Sequence, residues 1–154
     1  MSSDPFFGAT EPLRAANAVA ALLMLDDGRY VMQLRDSIPD IFYPGHWGCF
    51  GGAVDHDEEP AQALKRELKE ELAFNVEEAR EFTRFYFDLS GLGQPKVFRI
   101  YYEVPATLDA FSRMVLREGA ELRAFTGVEI LKQPRVTPYD AFAIWLHWKR
   151  LRFA

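Results

Sequence analysis

The chain has little of what marks several large protein classes. Cys49 is its one cysteine in 154 residues, so no intrachain disulfide can form, and a reducing compartment is the consistent setting. Long hydrophobic runs are missing too: "AVAALLML" at 18–25 stops after eight residues at an Asp-Asp-Gly turn, too short for a membrane span. The first fourteen residues carry Asp4, Glu11 and Arg14 and lack the cationic start of a secretory signal. Positive charge is not in surplus. With 18 Lys+Arg against 23 Asp+Glu the net charge is −5, which argues against the basic face that general binding to a nucleic-acid polymer requires. Repeats and low-complexity linkers are absent. The expectation is a cytoplasmic protein with no nucleic-acid or membrane partner. A small anionic substrate stays open, because a bound cation can reverse a local field.

What is present is a globular balance, 49% hydrophobic and 27% charged. Residues 1–14, with two prolines, read as an irregular leader ahead of a single domain over 15–154. Ala15 to Leu25 predicts a strand buried on both faces, and "DDGR" a turn into a second strand, Tyr30 to Arg35. Prolines and glycines make 36–48 a loop, followed by short strands around 47–50 and 53–54. Asp57 or Glu58 can cap a helix whose first turn admits Pro60, with Ala61, Leu64, Leu68 and Leu72 as its apolar stripe. "AREFTRFYFDL" and "KVFRIYYEV" read as strands around a turn, "LRAF" as another strand and "GVEIL" as a short helical turn. Pro138 opens a last amphipathic helix through Ile144, Trp145 and Trp148. Strands interleaved with two or three helices predict an α/β fold with a mixed central sheet covered on both faces.

On the first helix, Glu67, Glu70 and Glu71 fall within five positions. They span about 100° of arc beside the leucine stripe, and like charges so spaced cost roughly 0.2–0.5 kcal/mol per pair. Such a cluster is either a solvated acidic face, partly offset by Lys65, Arg66 and Lys69, or a set of hard oxygen donors for a divalent cation. Its surroundings favour the second. Gly52, Glu58, Arg66-Glu67-Leu68 and Glu70-Glu71, with Phe74 at the end, resemble the Nudix box, G-x5-E-x7-R-E-U-x-E-E-x-G-U, where U is a bulky apolar residue. Ala73 departs from the pattern, standing where the box has glycine at the helix end.

The resemblance implies a Nudix-type α/β/α sandwich and hydrolysis of a nucleoside diphosphate linked to another moiety, a small-molecule nucleotide being the substrate. It implies Glu67, Glu70 and Glu71 as ligands of Mg2+ or Mn2+, with the Gly52 carbonyl as a further oxygen. Glu67 or Glu70 would take the proton of the attacking water, and Glu58 with Arg66 would tether the loop to the helix. An additional acid from a later loop is also implied. Glu118 and Glu121 are the candidates, and Glu121, by its place ahead of "LRAF", is the better match; either is otherwise a solvated loop acid.

Arg35 suits a phosphate contact or a structural ion pair, and Trp47 suits stacking on a base or packing in the core. All three histidines read as surface residues, Cys49 as a small buried filler, and the aromatics of "AFAIWLHWKRL" as core or as a homodimer surface. Three functions follow. The first is an Mg-dependent pyrophosphohydrolase, with a nucleotide-sugar preferred over an ADP-ribose-like compound or a modified nucleoside triphosphate. The second is a non-catalytic Nudix-fold nucleotide-binding or sensing module. The third is an isoprenoid diphosphate isomerase, which Cys49 keeps open.

Overall fold

Strand β1 (Ala18–Leu25) is the axis of the molecule, and its alternation organises both layers around it. In the computed structural model, which describes residues 13–153, Val19, Ala21, Leu23 and Leu25 point to one side of the sheet and Ala20 and Leu22 to the other. All six are buried, so each face must be covered by helices. The leader expected over 1–14 lies outside the described residues but for its last two, and β1 begins at Ala18 rather than Ala15.

Around β1 are β2 (Tyr30–Leu34), β3 (Trp47–Gly48), β4 (Gly51–Ala53), β5 (Arg80–Asp88), β6 (Lys96–Ala106) and β7 (Glu121–Phe125). They form one mixed sheet in the order β3-β2-β1-β6-β5, with β4 paired to β1 and β7 to β2. β1 and β6 run parallel from Ala18↔Arg99 to Leu25↔Ala106, and the other strand pairs are antiparallel. The chain from Trp47 to Ala53 therefore pairs first with β2 and then with β1, which carries it beneath the first helix.

That helix, α1 (Pro60–Leu72), covers the face of Val19 and Leu23 with Ala63, Leu64, Leu68 and Leu72. Each buried leucine contributes about 1.5–3 kcal/mol. Ala61, placed on the stripe by spacing, is exposed, and Ala63 takes its place. The N-cap is Glu59, not Asp57 or Glu58, and its N–H donates to the Gln62 side chain at 3.3 Å. At the other end Ala73 is left-handed, φ 54° and ψ 31°; its N–H and that of Phe74 donate to the carbonyls of Lys69 and Leu68.

The opposite face is closed by α3 (Gly127–Leu131) and α4 (Pro138–Trp148). Here the expected amphipathic stripe is corrected. Asp140, Ala143, Ile144 and His147 are the buried positions of α4, whereas Phe142, Trp145 and Trp148 are exposed. His147 is thus interior, not surface: its Nδ1 meets the Tyr30 hydroxyl at 2.8 Å and its Nε2 the Glu103 carboxylate at 3.0 Å. Those two partners make a buried histidine affordable, and a polar residue at a core spacing conceals the helix's inner face in sequence. A fourth helix, α2 (Leu108–Arg113), N-capped by Thr107, was not foreseen. Among the described residues, no helix is long and apolar enough to cross a membrane.

Candidate active site

β4 and α1 meet at two glycines. Gly51 and Gly52 pair with Ala20 and Val19 of β1. A Cβ on Gly51 would run into the Val19 carbonyl, and its φ of 150° is also unfavourable for an L side chain. On Gly52 a Cβ would fall 2.5–2.6 Å from the carboxyl atoms of Glu67. The Glu67 carboxyl therefore rests directly on the backbone of β4, at a distance that only glycine permits.

Arg66 joins the loop after β4 to the helix. Its Nε and Nη2 donate to the two oxygens of Glu58 at 2.8 and 2.9 Å, and Nη2 also reaches the Ala53 carbonyl at 3.1 Å. The Nη1 group donates to Glu67 at 2.8 Å and to Glu70 at 3.4 Å. Glu58 accepts a further bond from the Asp55 N–H at 3.0 Å. The Arg66 hydrogen bonds, then that backbone N–H, hold the Glu58 carboxyl down to about 2.

Glu71 is the unusual member of the cluster. It is 2% exposed, and its Oε2 is buried without a hydrogen-bond partner. Burial, then the charges of Glu118 and Glu67, push its pKa well above the ordinary carboxylate range. Burial likewise raises Glu67, and the hydrogen bond between the two carboxyls lowers Glu67 while raising Glu71. Glu70 lies out on the surface against Arg66. The structure thus brings Glu67, Glu71 and the Gly52 backbone together and leaves Glu70 to one side. Among the described residues no three His, Cys, Asp or Glu side chains already converge as a cation cage. The donor chemistry nonetheless fits a hard divalent ion: burial disfavours the charge on two neighbouring carboxyls, and one buried carboxyl oxygen has no hydrogen-bond partner.

Of the two later acids, Glu118 is the one whose charge acts on Glu71. Glu121, the better match by spacing, opens β7 and binds Arg123 of its own strand at 2.6 Å. Arg35 donates from Nε to the Phe42 carbonyl at 2.8 Å, so it anchors the 36–46 loop. Trp47 is 7% exposed, packed edge-on against Phe125 with Arg123 over its ring, which leaves no open face for a base. Cys49 is buried, as expected of a small filler, and desolvation pushes its thiol far up.

Sequence reasoning missed a buried polar knot at the N-terminus of α4. Asp140 accepts from the Tyr101 hydroxyl at 2.6 Å, from Arg99 at 3.2 Å and from the Cys49 N–H at 3.0 Å. These residues lie 39 to 91 positions from Asp140 in sequence, so no local pattern announces them. Two cavities, of about 720 and 430 Å³, open at the C-terminal ends of β1 and β6 and share Asp26, Glu78 and Pro105; neither is lined by the α1 acids.

Comparison with known proteins agrees with this geometry. A family model described as the NUDIX domain matches residues 14–143. An uncharacterised Nudix hydrolase of Pseudomonas aeruginosa is 33% identical over 120 residues, which is 77% of this chain and 67% of that protein. The fold is similar to that of a MutT protein from Methanosarcina mazei, with TM-score 0.72, 20% identity and coverage of 94% of this chain and 100% of that one. It is also similar to the NUDIX domain of NrtR from Shewanella oneidensis, solved with ADP ribose, with TM-score 0.66, 17% identity and full coverage of both chains (100% each).

Proposed function

This chain belongs to the Nudix family and is a hydrolase acting on pyrophosphate bonds, and on that footing we propose that it is an Mg2+- or Mn2+-dependent pyrophosphohydrolase of nucleoside diphosphate compounds. Nucleotide-sugars come first among the substrates, ahead of ADP-ribose-like compounds and modified nucleoside triphosphates.

The observation that carries the reading is the buried Glu71 carboxyl with an unpartnered oxygen beside Glu67. Leaving a buried acceptor unpaired costs about 1–3 kcal/mol, a penalty that a bound cation would remove together with the repulsion among the acids. Bound there, a divalent cation supplies charge neutralisation for the phosphates and a lowered pKa for water.

The remaining work falls to side chains of this chain. Glu67, Glu70 and Glu71, with the Gly52 carbonyl, hold the ion. Glu70 turns from Arg66 to do so, a small change for an exposed side chain. Glu67 or Glu70 takes the proton of the attacking water. Arg66 keeps the loop of residues 53–58 against α1 through Glu58 and the Ala53 carbonyl. Glu118, rather than Glu121, is the additional acid. Arg35 offers a phosphate the N–H groups other than Nε.

The test is a panel of sugar nucleotides, dinucleotides and triphosphates with Mg2+ and Mn2+, followed by product identification. Release of a nucleoside monophosphate from a diphosphate linkage is expected, and Glu70→Gln should lower the rate by about 10²–10⁴-fold. No turnover across the panel would remove the proposal.

A further inference from the structure

Between α2 and β7 the chain forms a strap across the site. The Val115 N–H donates to the Leu72 carbonyl at 3.0 Å and the Arg117 N–H to the Glu71 carbonyl at 2.8 Å. Both acceptors are end-of-helix carbonyls of α1 that have no partner within the helix. Three residues on, the Ala120 N–H donates to the Leu34 carbonyl at 2.8 Å, where β2 ends. One side of the strap is stitched to α1 and the other to β2, with Glu118 and Gly119 between the stitches.

Gly119 has φ +94°, a conformation that an L side chain rarely adopts. A Cβ there would lie 2.7 Å from Gln33 Oε1 and 3.0 Å from the Leu34 carbonyl oxygen. Gln33 is 4% exposed and Leu34 O is backbone, so neither has much room to retreat. The adjoining Glu118 directly follows Arg117, whose N–H is bonded to the Glu71 carbonyl, and its charge contributes to raising the Glu71 carboxyl.

We propose that Gly119 is a positioning residue of the hydrolytic site: its left-handed backbone, seated on Gln33 and Leu34, sets Glu118 beside Glu71 before any substrate arrives. The proposal rests on the pyrophosphohydrolase reading, in which Glu118 serves the same site. It makes the placement of that acid a property of the fold rather than of the ligand.

The test is a double-mutant cycle of Gly119→Ala and Glu118→Gln, with Gln33→Ala as a milder variant that removes the seat and keeps the glycine. In Gly119→Ala, the Arg117 and Ala120 amides should exchange hydrogen faster, reporting release of the strap. Its kcat should fall about 10–100-fold, as expected for a catalytic group displaced by an ångström, and the double variant should be no slower than Glu118→Gln alone. Unchanged kcat in Gly119→Ala, or a multiplicative loss in the double variant, would overturn the proposal. If the wild type turns over nothing, the hydrolytic reading fails, and calorimetric Mn2+ affinity decides the placement instead. Weakening of about tenfold in both single variants, with no further loss in the double, supports it. Equal affinity in all of them overturns it.

Discussion

Replacing Ala73 by glycine should stabilise the protein without touching its chemistry. At φ 54° and ψ 31° the Ala73 Cβ crowds its own backbone, which costs an L-residue about 1–2 kcal/mol. The residue is exposed, so its methyl group contributes little packing in return. Glycine loses more backbone entropy on folding, which offsets the gain by about 0.5–1 kcal/mol. The balance is about 0.5–1 kcal/mol in favour of Ala73→Gly, or a rise of about 1–4 °C in Tm for a chain of this size. Thermal unfolding in EDTA keeps cation linkage out of the comparison, and a urea titration with unchanged slope would show that the unfolded state is the same. A Tm that stays level or falls would refute the claim that the alanine is strained.

Three other outcomes follow from the geometry. Glu71 is raised, so the cation-free fold holds a proton that the unfolded chain gives up above about pH 4.3. Stability from this group is complete below that pH and is lost as pH climbs toward the raised folded value, so Glu71→Gln should flatten the urea midpoint between about pH 5 and 8 in EDTA; parallel profiles for the two proteins would count against it. Gly52→Ala should displace the Glu67 carboxyl and lower kcat about 10–100-fold while the chain still folds, checked by kinetics beside circular dichroism. Tyr101→Phe removes the hydroxyl on buried Asp140 and should cost about 1–3 kcal/mol in urea unfolding, with Mn2+ affinity unchanged.

The layered fold was legible because β1 alternates on both faces and α1 carries leucines at helical spacing, and both are local patterns. The inner face of α4 was not legible. Two of its four buried positions are Asp140 and His147, whose burial depends on Tyr30, Cys49, Arg99, Tyr101 and Glu103 from distant parts of the chain. The acids of α1 could be read at fixed spacing within a single segment. That Glu118, and not Glu121, lies on the stretch hydrogen-bonded to α1 could not, since it depends on the Arg117–Glu71 backbone contact and on the Glu121–Arg123 pair. Trp47 illustrates the same limit: two residues of strand pairing place its ring inside, and sequence alone allowed either side.

The most direct test of the account is an anomalous difference map from crystals soaked in Mn2+. A strong peak within bonding distance of Glu67 and Glu71 carboxyl oxygens, with Glu70 swung off Arg66, is the predicted result. A map with no peak at α1, and Glu70 still against Arg66, would contradict it.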